Sequence, residues 1–294
     1  MNENILYDMV IVGCGPAGLS AAVNAKIRKK NIKLIGGEVC SPKLYSSPEI
    51  NNYLGFPNIK GSELKEHFLN HIKSLGIDIV KNTVVNIFQG DGSFDILTRD
   101  NEIYKARSVI IAVGVTNDAV LPGEEEFLGR GVSYCATCDA PLYRGKNVAV
   151  VSFEEEGEKE AKLLSQYSSR VYYIPRYNDA PKFIADNVEI INDIPTAVIG
   201  DKFVTSLELS KGRIEVQGVF IIRETVPVDK LIPGLEMVDD RFIKVNLNME
   251  TNIPGVFAAG DCVGKPFQLA KAVGQGQIAA LTAADYLEQL NARR

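Results

Sequence analysis

The tightest constraint on the fold lies in six residues near the start of the chain. Asp8-Met9-Val10-Ile11-Val12 reads as a buried strand, Gly13-Cys14-Gly15-Pro16-Ala17-Gly18 follows without a gap, and Leu19 to Lys26 continues with a helical pattern. A glycine-rich turn alone is a weak signal, but between a strand and a helix it specifies a parallel βαβ unit that binds a dinucleotide. Gly13 makes the turn, Gly15 lets the backbone approach a pyrophosphate, and Gly18 allows the helix to pack closely on the strand. The pyrophosphate then sits on the positive end of the helix. Cys14 is read as a small residue filling the turn. Ile32-Lys33-Leu34-Ile35 is the next strand; Gly36 stands where an acid often grips the ribose, and Glu38 is the substitute.

The far end of the chain supplies a matching element. Thr251 to Asp261 reads as a strand leading to a carboxylate, and Phe267 to Leu290 as a long helix with Gly274 and Gly276 near its start. Between them, Val84 to Leu97 with an Asp91-Gly92 turn, then Ser108 to Gly114, read as a small β-meander and a returning strand. The dinucleotide domain is therefore expected to be discontinuous, residues 1–114 and 240–294, around an inserted domain over residues 115–239.

That insert carries Cys135-Ala136-Thr137-Cys138-Asp139 and then Gly145 to Val151, a buried strand that should open a second nucleotide-type unit. The turn after it is Ser152-Phe153-Glu154-Glu155-Glu156-Gly157. Phe153 and Glu154 put side chains where a diphosphate would lie, and three carboxylates gather at a helix start that would otherwise attract phosphate. These residues cap a structural helix well and leave a closed pocket.

Composition sets the outer bounds. A chain of 294 residues with 46% hydrophobic content can bury a large core in two domains. A net charge of −5 argues against general nucleic-acid or membrane-surface binding. No apolar run approaches the roughly 18 residues of a membrane span, and the polar start is not a signal peptide, so a cytoplasmic protein is expected. Of five cysteines only Cys135 and Cys138 have paired spacing, which in a reducing compartment points to catalysis or metal binding. His67 and His71, at i and i+4, are read as polar groups on a solvated helix face, and no metal is expected. Cys40 and Cys262 receive no role.

The order GCGPAG, Ile110-Ile111-Ala112-Val113-Gly114, GRGVSYCATCDAPLY and TNIPGVFAAGDC resembles the low-molecular-weight thioredoxin reductase family across essentially the whole chain. The resemblance implies an α/β fold of two Rossmann-like, three-layer ββα-type domains: a discontinuous FAD domain and an inserted, here degenerate, NAD(P)-type domain. It implies FAD, a homodimer, and a disulfide that passes electrons from flavin to thioredoxin. Carried over by position, Cys138 is the thiol nearest the flavin, Cys135 attacks the partner disulfide, and Asp139 protonates a thiolate or else caps a helix. Gly13, Gly15, Pro16, Ala17, Gly36, Gly37, Glu38, Lys43, Leu44, Asn52, Val85, Gly114, Asp261, Gln268 and Leu269 would hold FAD. A CxxC thiol has a lowered pKa, and the thiolate is the attacking species.

Departures from that family are as informative as matches. Its NADPH-dependent members have a glycine-rich turn where Ser152 to Gly157 stand, and a basic cluster of which only Arg176 remains. Losing both resembles the branch reduced by ferredoxin rather than by a pyridine nucleotide. Lys43, in a changed Ser41-Pro42-Lys43-Leu44 segment, either stabilises a reduced flavin or is a surface lysine. Lys26, Arg28, Lys29, Lys30 and Lys33 either steer an acidic ferredoxin or form a solvated helix end. Domain rotation is expected to hinge near Val115-Thr116-Asn117 and Val238-Asp239-Asp240. The rival readings are an NAD(P)H-dependent reductase with a divergent pocket, an oxygen-dependent dithiol oxidase, and a non-catalytic flavin-bound sensor.

Overall fold

The computed structural model describes residues 5–37, 40–45, 47–115, 121–155, 157–177, 181–182, 185–223, 227–239 and 241–292; the side chains of Pro42, Lys43 and Cys138 are excepted. The chain divides into two compact units. Unit 1 comprises Met1–Thr98, Glu102–Val115 and Pro227–Arg294, and unit 2 comprises Arg99–Asn101 and Thr116–Val226.

Unit 1 begins with β1 (Leu6–Val12), α1 (Pro16–Ile27) and β2 (Ile32–Gly36), then short α2 (Pro42–Tyr45), α3 (Gly61–Ser74) and β3 (Ile79–Lys81). The meander follows as β4 (Val84–Gln89), β5 (Phe94–Thr98) and β6 (Ile103–Ile111). The seven-stranded sheet runs β3-β2-β1-β6-β5-β4. β6 divides its outer edge: Ile103 to Ala106 pair antiparallel with β5, while Val109 to Ile111 take a parallel strand from the far end of the chain. β1 is apolar from Met9 to Val12 and buried there, as a central parallel strand covered on both faces must be.

Unit 2 contains β7 (Val132–Ser133), α4 (Ala136–Asp139), β8 (Asn147–Ser152), α5 (Gly157–Ser165), β9 (Arg170–Pro175) and β10 (Val188–Ile190). β11 (Pro195–Gly200), β12 (Val204–Leu209) and β13 (Gly212–Glu215) form an antiparallel sheet, and β14 (Gly218–Ile222) returns. Five parallel strands run in the order β10-β9-β8-β14-β7. The order reverses between β8 and β14, where an open α/β sheet makes its ligand crevice.

The chain re-enters unit 1 through α6 (Val228–Leu231), β15 (Met237–Val238), β16 (Phe242–Ile243), β17 (Val256–Ala258) and α7 (Leu269–Ala292). β17 is the strand that completes the edge of β6. The return therefore falls at residues 226–227, not at 239–240 as expected from sequence. Residues 227–239 belong with unit 1 because α6 packs on β4 and β16, and β15 pairs with β16. Val238, expected in a hinge, lies in that pairing; Thr116, Asn117 and Asp240 lie outside the described residues. α7 packs along α1, where Ala17, Ala21, Ala22, Ala25, Ala279, Ala280, Ala283 and Ala284 bring the two backbones close. Among the described residues no helix is long and apolar enough to cross a membrane.

Candidate active site

Parallel pairing aligns Val12 with Ile35 and with Ile111, and Ile111 with Ala258, so the carboxyl ends of β2, β1, β6 and β17 lie side by side. The residues at and beyond those ends form one edge: Gly36 at the end of β2 and Gly37 after it, the Gly13 turn after β1, Gly114 after β6, and Asp261 after β17. Gly13 has φ of +107° and its Cα faces Ala112, whose carbonyl oxygen a Cβ would approach to 2.3 Å. At Gly18 a Cβ would lie 1.8 Å from the Gly13 oxygen, so helix and turn touch through backbone. A Cβ on Gly15, by contrast, would meet nothing within 4 Å. No side chain caps α1, no acid lies in its first turn, and Pro16 gives up its own N–H at the first helical position. Open backbone at a positive helix end fits the pyrophosphate of FAD.

α7 closes the other side. A Cβ on Gly276 would strike the Ala17 oxygen at 2.1 Å, and Ser20 Oγ donates to the Val273 carbonyl at 2.7 Å. Asn52 Nδ2 donates to Gln268 Oε1 at 2.9 Å, joining two of the expected cofactor residues across 216 positions of sequence. Gln268 directly precedes α7, which begins two residues later than expected, and Leu269, its first residue, packs on the cluster of Leu44, Ile50, Ile59 and Leu64. Val85 lies apart from this edge, on the edge strand β4. Glu38 and the Lys43 side chain fall outside the described residues.

Three groups here were not legible in the sequence. Lys271 Nζ donates to the carbonyls of Gly260, at 2.7 Å, and of Gly264, bracketing the short helix Asp261–Val263, and Gln275 Oε1 accepts from the Gly260 N–H at 3.1 Å. Burial holds the Lys271 ammonium below the usual lysine range. The third is a correction: Cys14 and Cys40, read as a packing residue and a residue without a role, form a disulfide with Cα atoms 5.1 Å apart. The pairing of β1 with β2 brings together residues that are 26 apart in sequence, a proximity that spacing alone does not reveal. Cys262 is a buried free thiol, pushed up to about 12 by desolvation and bonded to the Ile111 and Ala259 carbonyls.

In unit 2, Cys135 is buried and disulfide-bonded. Ser133 Oγ donates to Asp139 Oδ2 at 2.7 Å and accepts from the Cys135 N–H at 3.1 Å, tying both ends of the CxxC turn to β7. Asp139 stands at the start of the 3-10 helix Ala140–Tyr143 but makes no side-chain cap bond there.

The turn after β8 has the spacing of the Gly13 turn with Ser152, Glu154 and Gly157 in the three glycine positions. Gly157 keeps the packing role, since a Cβ there would lie 1.9 Å from Ser152 Oγ. The other two positions are filled. Ser152 Oγ donates to the Glu154 carbonyl at 2.6 Å, and the Phe153 N–H donates to Ile222 across to β14. Glu154 accepts from Arg99 at 2.7 Å, and Arg99 also donates to the Arg223 carbonyl at 2.6 Å. The Arg223 guanidinium lies 5.0 Å from the Phe153 ring centre and makes a buried two-pronged pair with Glu124, to which Tyr134 also donates. The remaining described acids are engaged by protein: Glu155 pairs with Lys182 at 3.7 Å, Glu158 accepts from Tyr177 and the Lys182 N–H, and Glu160 accepts from the Ala136 N–H. Glu156 lies outside the described residues. Arg176, expected as the residual phosphate ligand, donates to the Asp193 carbonyl at 3.5 Å.

Among the described residues no cluster of three or more His, Cys, Asp or Glu is arranged to hold a metal. His67, on α3, packs its ring 5.5 Å from that of Phe56.

Residues 7–152 and 180–276 match the pyridine nucleotide-disulphide oxidoreductase family. A thioredoxin reductase of Listeria monocytogenes is 32% identical over 98% of this chain and 96% of its own length. Two crystal structures of a ferredoxin-flavin thioredoxin reductase from Clostridium acetobutylicum match with TM-scores of 0.91 and 0.88, at 48% and 46% identity. They cover 96% and 98% of this chain, and 98% and 99% of theirs. An FAD-ready edge in unit 1, a disulfide-bonded CxxC cysteine in unit 2 and full-length similarity converge: the chain belongs to the pyridine nucleotide-disulphide oxidoreductase family, as an FAD-dependent disulfide oxidoreductase of the thioredoxin reductase type.

Proposed function

We propose that this reductase takes its electrons from reduced ferredoxin and not from NADPH or NADH, and passes them through a Cys135–Cys138 disulfide to thioredoxin. The observation that carries the reading is the turn after β8. Two of its three glycine positions are taken by Ser152 and Glu154; Glu154 is held by Arg99, and Arg99 in turn bonds the carbonyl of Arg223, which packs on Phe153 and pairs with Glu124. A pyrophosphate there would displace the half-buried Arg99–Glu154 pair and face carboxylates at the start of α5, a cost above what a phosphate-to-helix contact returns. The names of the Clostridium structures at 46–48% identity support the same donor.

FAD bound at the edge of unit 1 supplies the electron pair that opens the disulfide. The chain's own residues do the rest. Gly13, Gly15, Pro16 and Ala17 present backbone to the pyrophosphate, with Gly36, Gly37, Glu38 and Gly114 beside it. Asn52 and Gln268, fixed on each other, orient the ring side with Leu44, Asp261 and Leu269; Lys43 is assigned there by sequence position, and Val85, on β4, would reach only a remote part of the cofactor. When the S–S bond breaks, the sulfur of Cys138 takes the electron pair from the cofactor and Cys135 is the thiolate that attacks the thioredoxin disulfide. Asp139, held by Ser133, moves the proton at the thiolate. A homodimer belongs to the same reading, and light scattering of the holoprotein checks it.

The deciding experiment is anaerobic bleaching of the bound flavin by excess NADPH, NADH and reduced ferredoxin, with thioredoxin thiols counted in parallel. Bleaching by ferredoxin alone, with thioredoxin reduced, is the expected result. Rapid bleaching by either nucleotide would overturn the donor assignment and leave a nucleotide-dependent thioredoxin reductase. Reoxidation by air faster than by thioredoxin would favour an oxidase.

A further inference from the structure

A buried carboxylate stands behind the CxxC turn. Glu160, on α5, is 5% exposed, and its Oε2 accepts from the Ala136 N–H at 2.9 Å; the neighbouring Thr137 N–H also favours its ionised form. Ala136 and Thr137 are the two residues between the cysteines, and their amides are the first N–H groups of α4. In a CxxC turn such amides ordinarily stabilise the thiolate that forms on reduction. Here a protein carboxylate already occupies the first of them and draws on the second. We propose that Glu160 is a positioning residue for the disulfide exchange: it fixes the backbone between the two cysteines and withholds from their thiolates the amide hydrogens that would stabilise them, keeping the dithiol strongly reducing.

Among the described residues, two charged groups act on this carboxylate. Arg99 draws it toward ionisation and Asp100 opposes it, while burial, the largest influence, raises its pKa above the usual carboxylate range. The nearby negative charge comes and goes with the redox state. Reduction delivers two electrons, breaks one S–S bond and leaves two sulfurs, one taking a proton and one carrying charge. That charge raises the affinity of Glu160 for a proton. Between its titration in the disulfide state and its titration in the dithiol state, the wild-type protein therefore binds an extra proton on reduction, and the midpoint potential falls more steeply with pH.

The inference rests on the Cys135–Cys138 pair being the redox disulfide, and the test separates the two claims. Holoprotein is equilibrated in oxidised and reduced dithiothreitol, which donates two electrons as it closes its own S–S bond. Cysteines are then alkylated and peptides quantified at several pH values. If Cys135 and Cys138 do not titrate together, the pair assignment fails. If they do, Glu160→Gln, whose neutral oxygen accepts more weakly and so loosens its hold on the amides, should shift the dithiol/disulfide equilibrium toward dithiol by about tenfold, or ~30 mV for a two-electron couple. It should also abolish the steep segment of the pH profile, which Glu160→Asp should retain. A Glu160→Gln protein with unshifted midpoint and unchanged slope overturns the proposal. Should that variant fold poorly, the wild-type profile decides: a slope without any steep segment overturns it equally.

Discussion

Unit 1 and unit 2 each send a buried parallel strand through a six-residue turn into a helix, and the two turns have opposite chemistry. The Gly13 turn leaves open space at Gly15 and an uncapped helix start. The Ser152 turn keeps only the third glycine, Gly157, and has Glu154, paired with Arg99, at the position that Gly15 leaves open. The glycine that packs helix on strand persists in both, whereas the turn glycine and the one open to a ligand persist in one. Packing and phosphate binding are thus separable demands on one motif, and a crossover can lose the second without losing the fold.

The two turns are also fixed by different means, and the largest expected effect comes from removing the plug. Arg223 is 4% exposed and Glu124 is fully buried, so Arg223→Ala would strand a carboxylate in the core and cost about 3–5 kcal/mol. Chemical denaturation measures this, and flavin bleaching by NADPH should stay absent in the same variant. A variant of wild-type stability that NADPH now reduces would show the pocket to be merely covered and would break the contrast.

The Gly13 turn is held covalently. Replacing Cys14 and Cys40 together by Ala opens a 26-residue loop, and the chain-entropy account assigns it about 3 kcal/mol. Thermal unfolding of the double variant should show this loss, and FAD fluorescence in the filtrate should show weaker retention. Unchanged stability and retention would mean that strand pairing alone positions the turn.

Gly15→Ala sharpens the comparison further, because its Cβ enters empty space in the protein while a pyrophosphate needs that approach. Apoprotein stability should change by less than ~0.5 kcal/mol, while FAD affinity falls about tenfold, or ~1.4 kcal/mol. Equal losses in stability and affinity would place Gly15 among the packing glycines with Gly18 and Gly157.

How much of this was readable follows the same division. The Gly13 unit, the meander and β17 announce themselves through local periodicity and turn chemistry. The closed turn was legible because Phe153 and Glu154 are too large for the role. What closes it was not: Arg99, Glu124 and Arg223 come from three distant segments that only the β8–β14 pairing and the chain's return bring together. The same holds for the Cys14–Cys40 bond and for Glu160 behind Ala136. Sequence spacing reports neighbours along an element, while these contacts depend on which strands lie side by side.

The opposite end of α1 carries the smallest expected effect. Its basic cluster looks dense in sequence, yet Arg28 lies 3.7 Å from Asp285, Lys30 is 3.1 Å from Glu288, and Lys33 lies over the rings of Tyr7 and Tyr104. Lys26 and Lys29 are exposed and have no carboxylate partner among the described residues. Two exposed charges on an acidic protein steer weakly, and a Debye length of about 8 Å at physiological salt screens most of their reach. Replacing both by Glu should therefore slow flavin reduction by ferredoxin less than about threefold at low salt, with the difference vanishing as salt rises. Stopped-flow bleaching against ionic strength measures it. A tenfold or larger loss would make this helix end a docking face, and would show that the open turn of unit 1 and its donor surface lie at the two ends of one helix.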